Sequence, residues 1–320
     1  MVNRFRLIFT AVMLIVLSGM INFSCRKEFV VGDPPRLPPA ETFLMNYAGF
    51  SNPDDTLATK FFSDSLGYAP SYNNWRNAYN SIFPWDSIDG SSIDIVTTCY
   101  QEALKNYPVH LGGHAFGWPC SFIYLSSGYT ASLIATWIGG QDFRIEMYIA
   151  KPGMYGFGSF RWLEGTVSYN WNRAVWTLYE SPNNPVRLFR IEWNKNWDDN
   201  TGDIKYTFLK RGNSSLPLNS YIQYKIVSDS TFDAGYVISI YGNKVLIEWN
   251  RKNKHGRIID PVKYNDNGTW HCWSGFLQDK NCEYLSVPEN EESQNSYFHP
   301  VIPAFSLMRQ ESLSSPGPSP

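Results

Sequence analysis

The feature that most constrains this chain is a change of period. From roughly Phe116 to Cys282, apolar and polar residues alternate in short runs cut by turn-forming residues. Alternation of that kind makes a strand with two unlike faces. The candidate strands are Cys120–Ser126, Tyr129–Trp137, Phe143–Ala150, Gly156–Leu163, Ala174–Glu180 and Val186–Asn194. They continue with Asp203–Lys210, Ser220–Val227, Gly235–Tyr241, Lys244–Asn250, His255–Asp260 and Thr269–Trp273. Between them stand Gly139-Gly140-Gln141-Asp142, Asn200-Thr201-Gly202, Gly242-Asn243 and Asn265-Asp266-Asn267-Gly268. Connections this short leave no room for a crossover, so neighbours are antiparallel, and a dozen strands in series must curl or close. The expected fold is α+β, mainly β: a large curved antiparallel meander or incomplete barrel with N-terminal helices packed on it.

One phrase recurs inside this pattern, Ile191-Glu192-Trp193-Asn194 and Ile247-Glu248-Trp249-Asn250. Residues two apart share a strand face, which puts Phe189, Ile191 and Trp193 on one side and Glu192 on the other. Val245, Ile247 and Trp249 repeat the arrangement, with Glu248 opposite. Asn tolerates a turn, so each copy reads as a strand that buries a Trp and stops. Arg190, Lys195 and Arg251 are the expected charge partners of the two glutamates.

Upstream the period is helical or irregular. Asp54-Asp55 leads into Thr56–Leu66, Asn73–Phe83 spaces Trp75, Tyr79 and Ile82 by four and three, and Ile93–Tyr107 carries a stripe of Ile95, Cys99 and Leu104. The expected layout is a signal peptide at 1–24, a Pro-rich spacer at 25–40, one β-rich domain at 41–282 and a mobile tail at 283–320. Within the domain the helical part covers about 41–115 and the meander about 116–282. A split into two domains near residue 115 is the alternative.

The N-terminus carries an address. Arg4 and Arg6 precede an apolar run from Leu7 to Ile21, then Asn22-Phe23-Ser24-Cys25. The run is shorter than the roughly 20 residues of a membrane span and has the shape of a secretory signal. Ser24-Cys25 at its end resembles a bacterial lipoprotein signal, which implies cleavage before Cys25 and diacylation of that residue, with palmitate among the acyl chains. Asn22 stands where that signal usually has an aliphatic residue; ordinary secretion with Cys25 free and an uncleaved anchor are the alternatives. Pro34, Pro35, Pro38 and Pro39 then form a stiff spacer off the bilayer. The expected address is the cell envelope, lipid-anchored in the outer membrane.

With Cys25 set aside, Cys99, Cys120, Cys272 and Cys282 remain, an even number suited to an oxidising compartment. Three pairings exist. Cys272 with Cys282 and Cys99 with Cys120 close the shortest loops and are preferred.

A second resemblance rests on the order Gly158–Trp162 (G-x-F-x-W), Trp176–Pro182 (W-T-L-Y-x-S-P), I-x-W-N, G-D-I-K-Y-T, Y-I-x-Y, I-E-W-N, K-x-G-R and W-H-C-W. This order is similar to a recurring lipoprotein type of Bacteroidota, mostly over Phe143–Cys282. The likeness implies the address and the fold and carries no activity. It also implies O-glycosylation at Asp-Ser/Thr followed by an aliphatic residue or Thr, with Thr56, Ser65, Ser87 and Ser230 as candidate acceptors.

Chemistry is sparse. The chain has no nucleophile elbow, metalloprotease helix, phosphate loop or dinucleotide fingerprint, and no cofactor or metal is implied. His110 and His114 flank Gly112-Gly113 and read as a loop. Asp198–Asp203 has oxygen ligands suited to calcium but reads as hairpin chemistry. A net charge of -2 offers no basic footprint for nucleic acid. Trp162, Trp171, Trp197 and Trp273, near turns or strand ends, are the candidate ligand-binding residues, since aromatic faces stack on sugar rings. The favoured reading is a non-enzymatic envelope lipoprotein that contacts the membrane through its lipid and binds a glycan or an apolar ligand such as a lipid. The alternatives are a glycan-directed enzyme using carboxylates among Glu146, Glu192 and Glu248, and a structural or adhesive surface protein.

Overall fold

The computed structural model describes residues 32–47, 71–210 and 216–285, with the side chains of 86–91 and 284 outside that description. It is one antiparallel sheet of 14 strands whose spatial order equals chain order, and it does not close. The strands are β1 Val109–Gly112, β2 Ala115–Tyr124, β3 Ser127–Gly139, β4 Asp142–Lys151, β5 Phe157–Ser168, β6 Arg173–Ser181 and β7 Asn184–Asn196. The remainder are β8 Thr201–Phe208, β9 Tyr221–Ile226, β10 Ala234–Ile240, β11 Asn243–Trp249, β12 Gly256–Ile259, β13 His271–Trp273 and β14 Asp279–Lys280. The expected mainly-β meander is therefore what forms. Two strands went unread: β1, taken for a loop around His110, and the two-residue β14.

The helical region differs more. Two expected segments, Asn73–Phe83 and Ile93–Tyr107, are one helix, α1, Asn73–Ala103, which runs through Pro84. An internal proline forfeits a backbone hydrogen bond and crowds the preceding turn. Burial of Ile82 and Trp85 on either side opposes that cost. Leu104, expected in the apolar stripe, lies past the helix end and is exposed. A short second helix, α2, Pro261–Tyr264, is capped by the Asp260 carboxylate accepting from the Lys263 N–H. Thr56–Leu66 and the tail beyond residue 285 lie outside the described residues.

The sheet curls around α1. The helix touches β2, β3, β5 and β6 near one edge of the sheet and β12, β13 and β14 near the other. At its start the Asn74 amide donates to the Cys272 carbonyl at 2.9 Å and the Trp75 ring meets Trp273 edge-on at 5.5 Å. Farther along, Trp85 packs near Phe189, and the Ser92 hydroxyl donates to the Glu180 carbonyl at 2.7 Å. Residues 32–47 fill more of the interior. The Tyr206 hydroxyl donates to the Phe43 carbonyl at 2.6 Å and accepts from the Met45 N–H at 2.9 Å, while the Tyr236 hydroxyl donates to the Asn46 carbonyl.

Alternation sorts the faces as the sequence pattern requires. Phe143, Ile145, Met147 and Ile149 of β4 point into the core, while Arg144, Glu146 and Tyr148 point out. Of 12 Trp, seven are buried, including Trp162 and Trp273, and only Trp197 is exposed. Glycines opposite two of them allow rings to lie against backbone. A Cβ on Gly165 would stand 2.4 Å from its cross-strand partner Trp176, and one on Gly256 would stand 2.3 Å from Trp273.

Cys272 and Cys282 are bonded, one of the two expected bridges. The other is not formed: Cys99 and Cys120 are neighbours but free thiols, and joining them requires removal of two electrons.

Candidate functional site

Strand direction alternates, so the turns after β1, β3, β5, β7, β9 and β11 gather at one end of the sheet. Two of these turns hold the exposed aromatics. The β5–β6 turn, Tyr169–Asn172, contains Trp171 at φ 58°, a left-handed residue that folds the turn back on itself. Its backbone closes by Trp171 N–H to Ser168 carbonyl at 2.9 Å and is tied to the β3–β4 turn by Tyr169 N–H to Gln141 carbonyl at 2.6 Å.

The neighbouring strand β7 then clamps it. The indole N–H of Trp193 donates to the Trp171 carbonyl at 3.0 Å, the Lys195 N–H donates to the Asn172 carbonyl at 2.8 Å, and the indole N–H of Trp197 donates to the Asn170 carbonyl at 3.0 Å. Two donors from β7 and one from the turn that follows it thus satisfy three successive turn carbonyls. With its N–H engaged, Trp197 holds its ring in one orientation while half of it, 50%, stays exposed. Tyr169, next in the chain to the Asn170 that holds this indole, is 42% exposed. Asn170 and Asn172 in the first turn and Asn194 and Asn196 at the end of β7 use part of their amides locally: Asn172 accepts from the Ser168 hydroxyl, Asn194 donates to Asp203 and Asn196 accepts from the Asp198 N–H.

Lys195 completes the surface. Its Nζ sits 5.5 Å from the Trp197 ring centre and donates to the Asn200 carbonyl at 3.0 Å and to the Asn200 side-chain oxygen. Partial burial holds its ammonium below the ordinary lysine range; Arg251 pushes the same way and Asp199 opposes.

Of the four Trp candidates, the fold therefore brings together Trp171 and Trp197 and withdraws the others. Trp162 packs edge-on against Phe160 at 5.4 Å, and Trp273 donates its N–H to the Lys254 carbonyl at 2.9 Å inside the core. Both correct the expectation: proximity to a turn does not decide exposure when the sheet curls and its inner face is the covered one. Tyr169 and Trp193 were missed. The signal for Tyr169 was the run Tyr169-Asn170-Trp171-Asn172, an aromatic–amide alternation inside a turn.

The segment Asp198–Asp203 folds as the expected hairpin. Asp199 accepts from the Thr201 N–H at 2.9 Å and hydroxyl at 2.6 Å, which holds its carboxyl below the ordinary range, and Asn200 takes the left-handed φ of 56°. A shallow depression of about 470 Å³, wide open to solvent, lies beside it between β8 and β9, lined by Asp203, Gln223 and Lys225. Gln223 and Asn194 both donate to Asp203. No cluster of metal-ligating side chains exists among the described residues. His110 contacts the Gly113 carbonyl at 3.1 Å within the β1–β2 hairpin.

The carboxylates of the enzyme alternative are distributed differently. Glu192 on β7 and Glu248 on β11 are four strands apart in the sheet. Glu192 pairs with Arg190 at 2.9 Å, as expected. Glu248 pairs with Arg257 of β12 at 2.6 Å, whereas Arg251 turns to Asp233 at 2.9 Å. Glu146 has a direct cross-strand partner that the sequence reading did not name, Glu164. Arg161 Nη1 lies 3.1 Å from Glu146 and 2.8 Å from Glu164, so those oxygens stand no more than about 6 Å apart. Arg144 reaches both carboxylates, and the Tyr179 hydroxyl donates to Glu164 at 2.6 Å. Two guanidinium groups thus occupy the region a water or sugar would need, on the outer face of an open sheet.

Of the proposed glycosylation acceptors, Ser230 is exposed in the β9–β10 turn, where Asp229 accepts from the Thr231 N–H at 2.7 Å. Ser87 falls on α1 in the stretch without described side chains, and Thr56, Ser65 and the lipidation candidate Cys25 lie outside the described residues. No described helix is long and apolar enough to cross a membrane. Comparison with protein-family models, with curated proteins and with solved structures finds no match.

Proposed function

We propose that this protein is an envelope-anchored lipoprotein whose β5–β6 and β7–β8 turns form a non-enzymatic glycan-binding surface. The observation that carries this reading is Trp197, the one exposed indole of twelve, held by the Asn170 carbonyl beside exposed Tyr169. A sugar ring presents an apolar face to an aromatic and a rim of hydroxyls to amides. Two exposed aromatics on adjoining turns that carry four asparagines meet both needs, and fixing the indole beforehand removes an ordering cost from binding. The glycan reading is favoured over the apolar-ligand reading because α1 and residues 32–47 occupy the interior that a lipid would use. It is favoured over the enzyme reading because Arg144 and Arg161 both bridge the facing carboxylates of Glu146 and Glu164.

Titration of the purified protein against an oligosaccharide panel, followed by intrinsic Trp fluorescence and calorimetry, tests the surface. Trp197→Ala and Tyr169→Ala should each weaken binding by on the order of tenfold or more, with the thermal midpoint little changed. Saccharide binding that survives both changes would overturn the site, and silence across the panel would overturn the ligand class. The anchor is tested separately: a palmitate analogue should label wild type and not Cys25→Ala.

A further inference from the structure

The first edge of the sheet is only partly covered. β1 pairs with β2 as far as Gly117, so from Trp118 onward β2 has no outer strand partner among the described residues. The last turns of α1 pack there, and the seam brings together two thiols 21 residues apart in sequence. Cys99 on α1 is fully buried; Cys120, inward-facing on the uncovered part of β2, is only partly buried. The Cys120 thiol donates to the Cys99 carbonyl oxygen at 3.8 Å, which places the two cysteines side by side.

We propose that Cys120 and Cys99 form an exchange-competent dithiol, with Cys120 as the attacking sulfur and Cys99 as the resolving one, acting on external disulfides. The Cys120 thiolate attacks one sulfur of R–S–S–R, forming a mixed disulfide and expelling one thiolate, which takes a proton. Cys99 then loses its proton and attacks the Cys120 sulfur, expelling the second R–S–H. The pair gives up two electrons and becomes a disulfide; the external disulfide accepts them and leaves as two thiols.

Placement sets the order of events. Of the two thiols Cys120 is the more exposed, and among the described residues Cys99 is the free thiol beside it that can displace the bound sulfur. The electrostatics run the same way. The neighbouring Cys99 thiol lowers the Cys120 thiol below its ordinary range, against partial burial and Glu102. The same interaction, with burial, drives the Cys99 thiol far up. Closure would join α1 to β2 covalently at the open edge. Cys272–Cys282 is a finished bond near the other edge, where β13 meets α1 through Asn74.

The test uses the full chain, reduced with dithiothreitol, desalted, exposed to oxidised glutathione and analysed by peptide mapping, which separates Cys25 from the pair. Wild type should lose both thiols to a Cys99–Cys120 bridge. Cys99→Ser should accumulate a glutathione adduct at Cys120, and Cys120→Ser should leave Cys99 unmodified in the folded chain. Maleimide labelling of the reduced wild type, which needs no substitution, should mark Cys120 faster than Cys99 by on the order of tenfold or more. Equal labelling rates, no adduct at Cys120 in Cys99→Ser, or a native bridge that dithiothreitol cannot open without denaturant would each overturn the proposal.

Discussion

The two copies of Ile-Glu-Trp-Asn share four residues and almost nothing of their surroundings. Trp249 is buried, stacked on Tyr236 at 5.2 Å and tilted against Tyr224 at 5.8 Å. Trp193 is half-buried and spends its indole N–H on the β5–β6 turn. Both rings face inward near the same end of the sheet, so burial is decided by what lies beside them. Trp249 stands between Ala234 and Gly256 across its two neighbouring strands, while Trp193 stands between Ala174 and the larger Ile204. The asparagines diverge as well. Asn250 is buried, accepts from the Lys252 and Asn253 N–H groups, and ends β11 as the pattern predicts. Asn194 remains inside β7, which runs on to Asn196, so the first copy does not stop the strand. A local phrase sets which face a residue takes; the neighbouring strands and loops set how deeply that face is covered.

This contrast can be broken most sharply at the two indoles. Trp249→Ala should cost about 3–5 kcal/mol in a urea melt, because it empties a site shared by three rings. Trp193→Ala should cost roughly 1–2 kcal/mol, since its ring is only partly buried. Equal losses would show that the surroundings do not separate the copies. The next largest effect is expected at Gly256→Ala. The added methyl meets the Trp273 ring and the Glu248 carbonyl oxygen at 2.6 Å, and overpacking of this kind costs about 1–3 kcal/mol. An unchanged denaturation midpoint would show that close approach to this glycine is not needed.

The smallest effect concerns the glutamates. Arg257 holds Glu248 through two nitrogens, at 2.8 and 2.6 Å, and its guanidinium lies over Phe232 at 4.3 Å and Trp270 at 4.1 Å. Arg190 makes one contact to Glu192 on an exposed face. Arg257→Ala should therefore cost about 1–2 kcal/mol and Arg190→Ala no more than about 0.5 kcal/mol, the first little affected by salt and the second abolished by it. A reversed order would place the stronger pair on β7.

Much of the sheet was legible because its signals are local. Gly242-Asn243 and Asn200-Thr201-Gly202 mark turns by backbone freedom, and Phe143–Ile149 marks an inward face by spacing alone. The candidate site was half legible. Trp171 and Trp197 could be picked out as aromatics near turns, but so could Trp162 and Trp273, which are buried. Nothing local distinguishes them, because the choice depends on which face of the curled sheet receives α1 and residues 32–47. The continuity of α1 through Pro84 was hidden for the same reason: the local penalty is visible in the chain, and the burial that opposes it is not.

By itself, then, the sequence determined an antiparallel meander, the direction in which each side chain points, and the turns that separate the strands. These follow from backbone stereochemistry within a few residues. Only the tertiary structure decided that the sheet wraps a helix and stays open, that Cys99 meets Cys120 at one edge while Cys272 and Cys282 bond near the other, and that one indole of twelve faces solvent. Each of those depends on contacts between residues distant in the chain, and solvent exclusion by such contacts is a property of the assembled surface rather than of any segment.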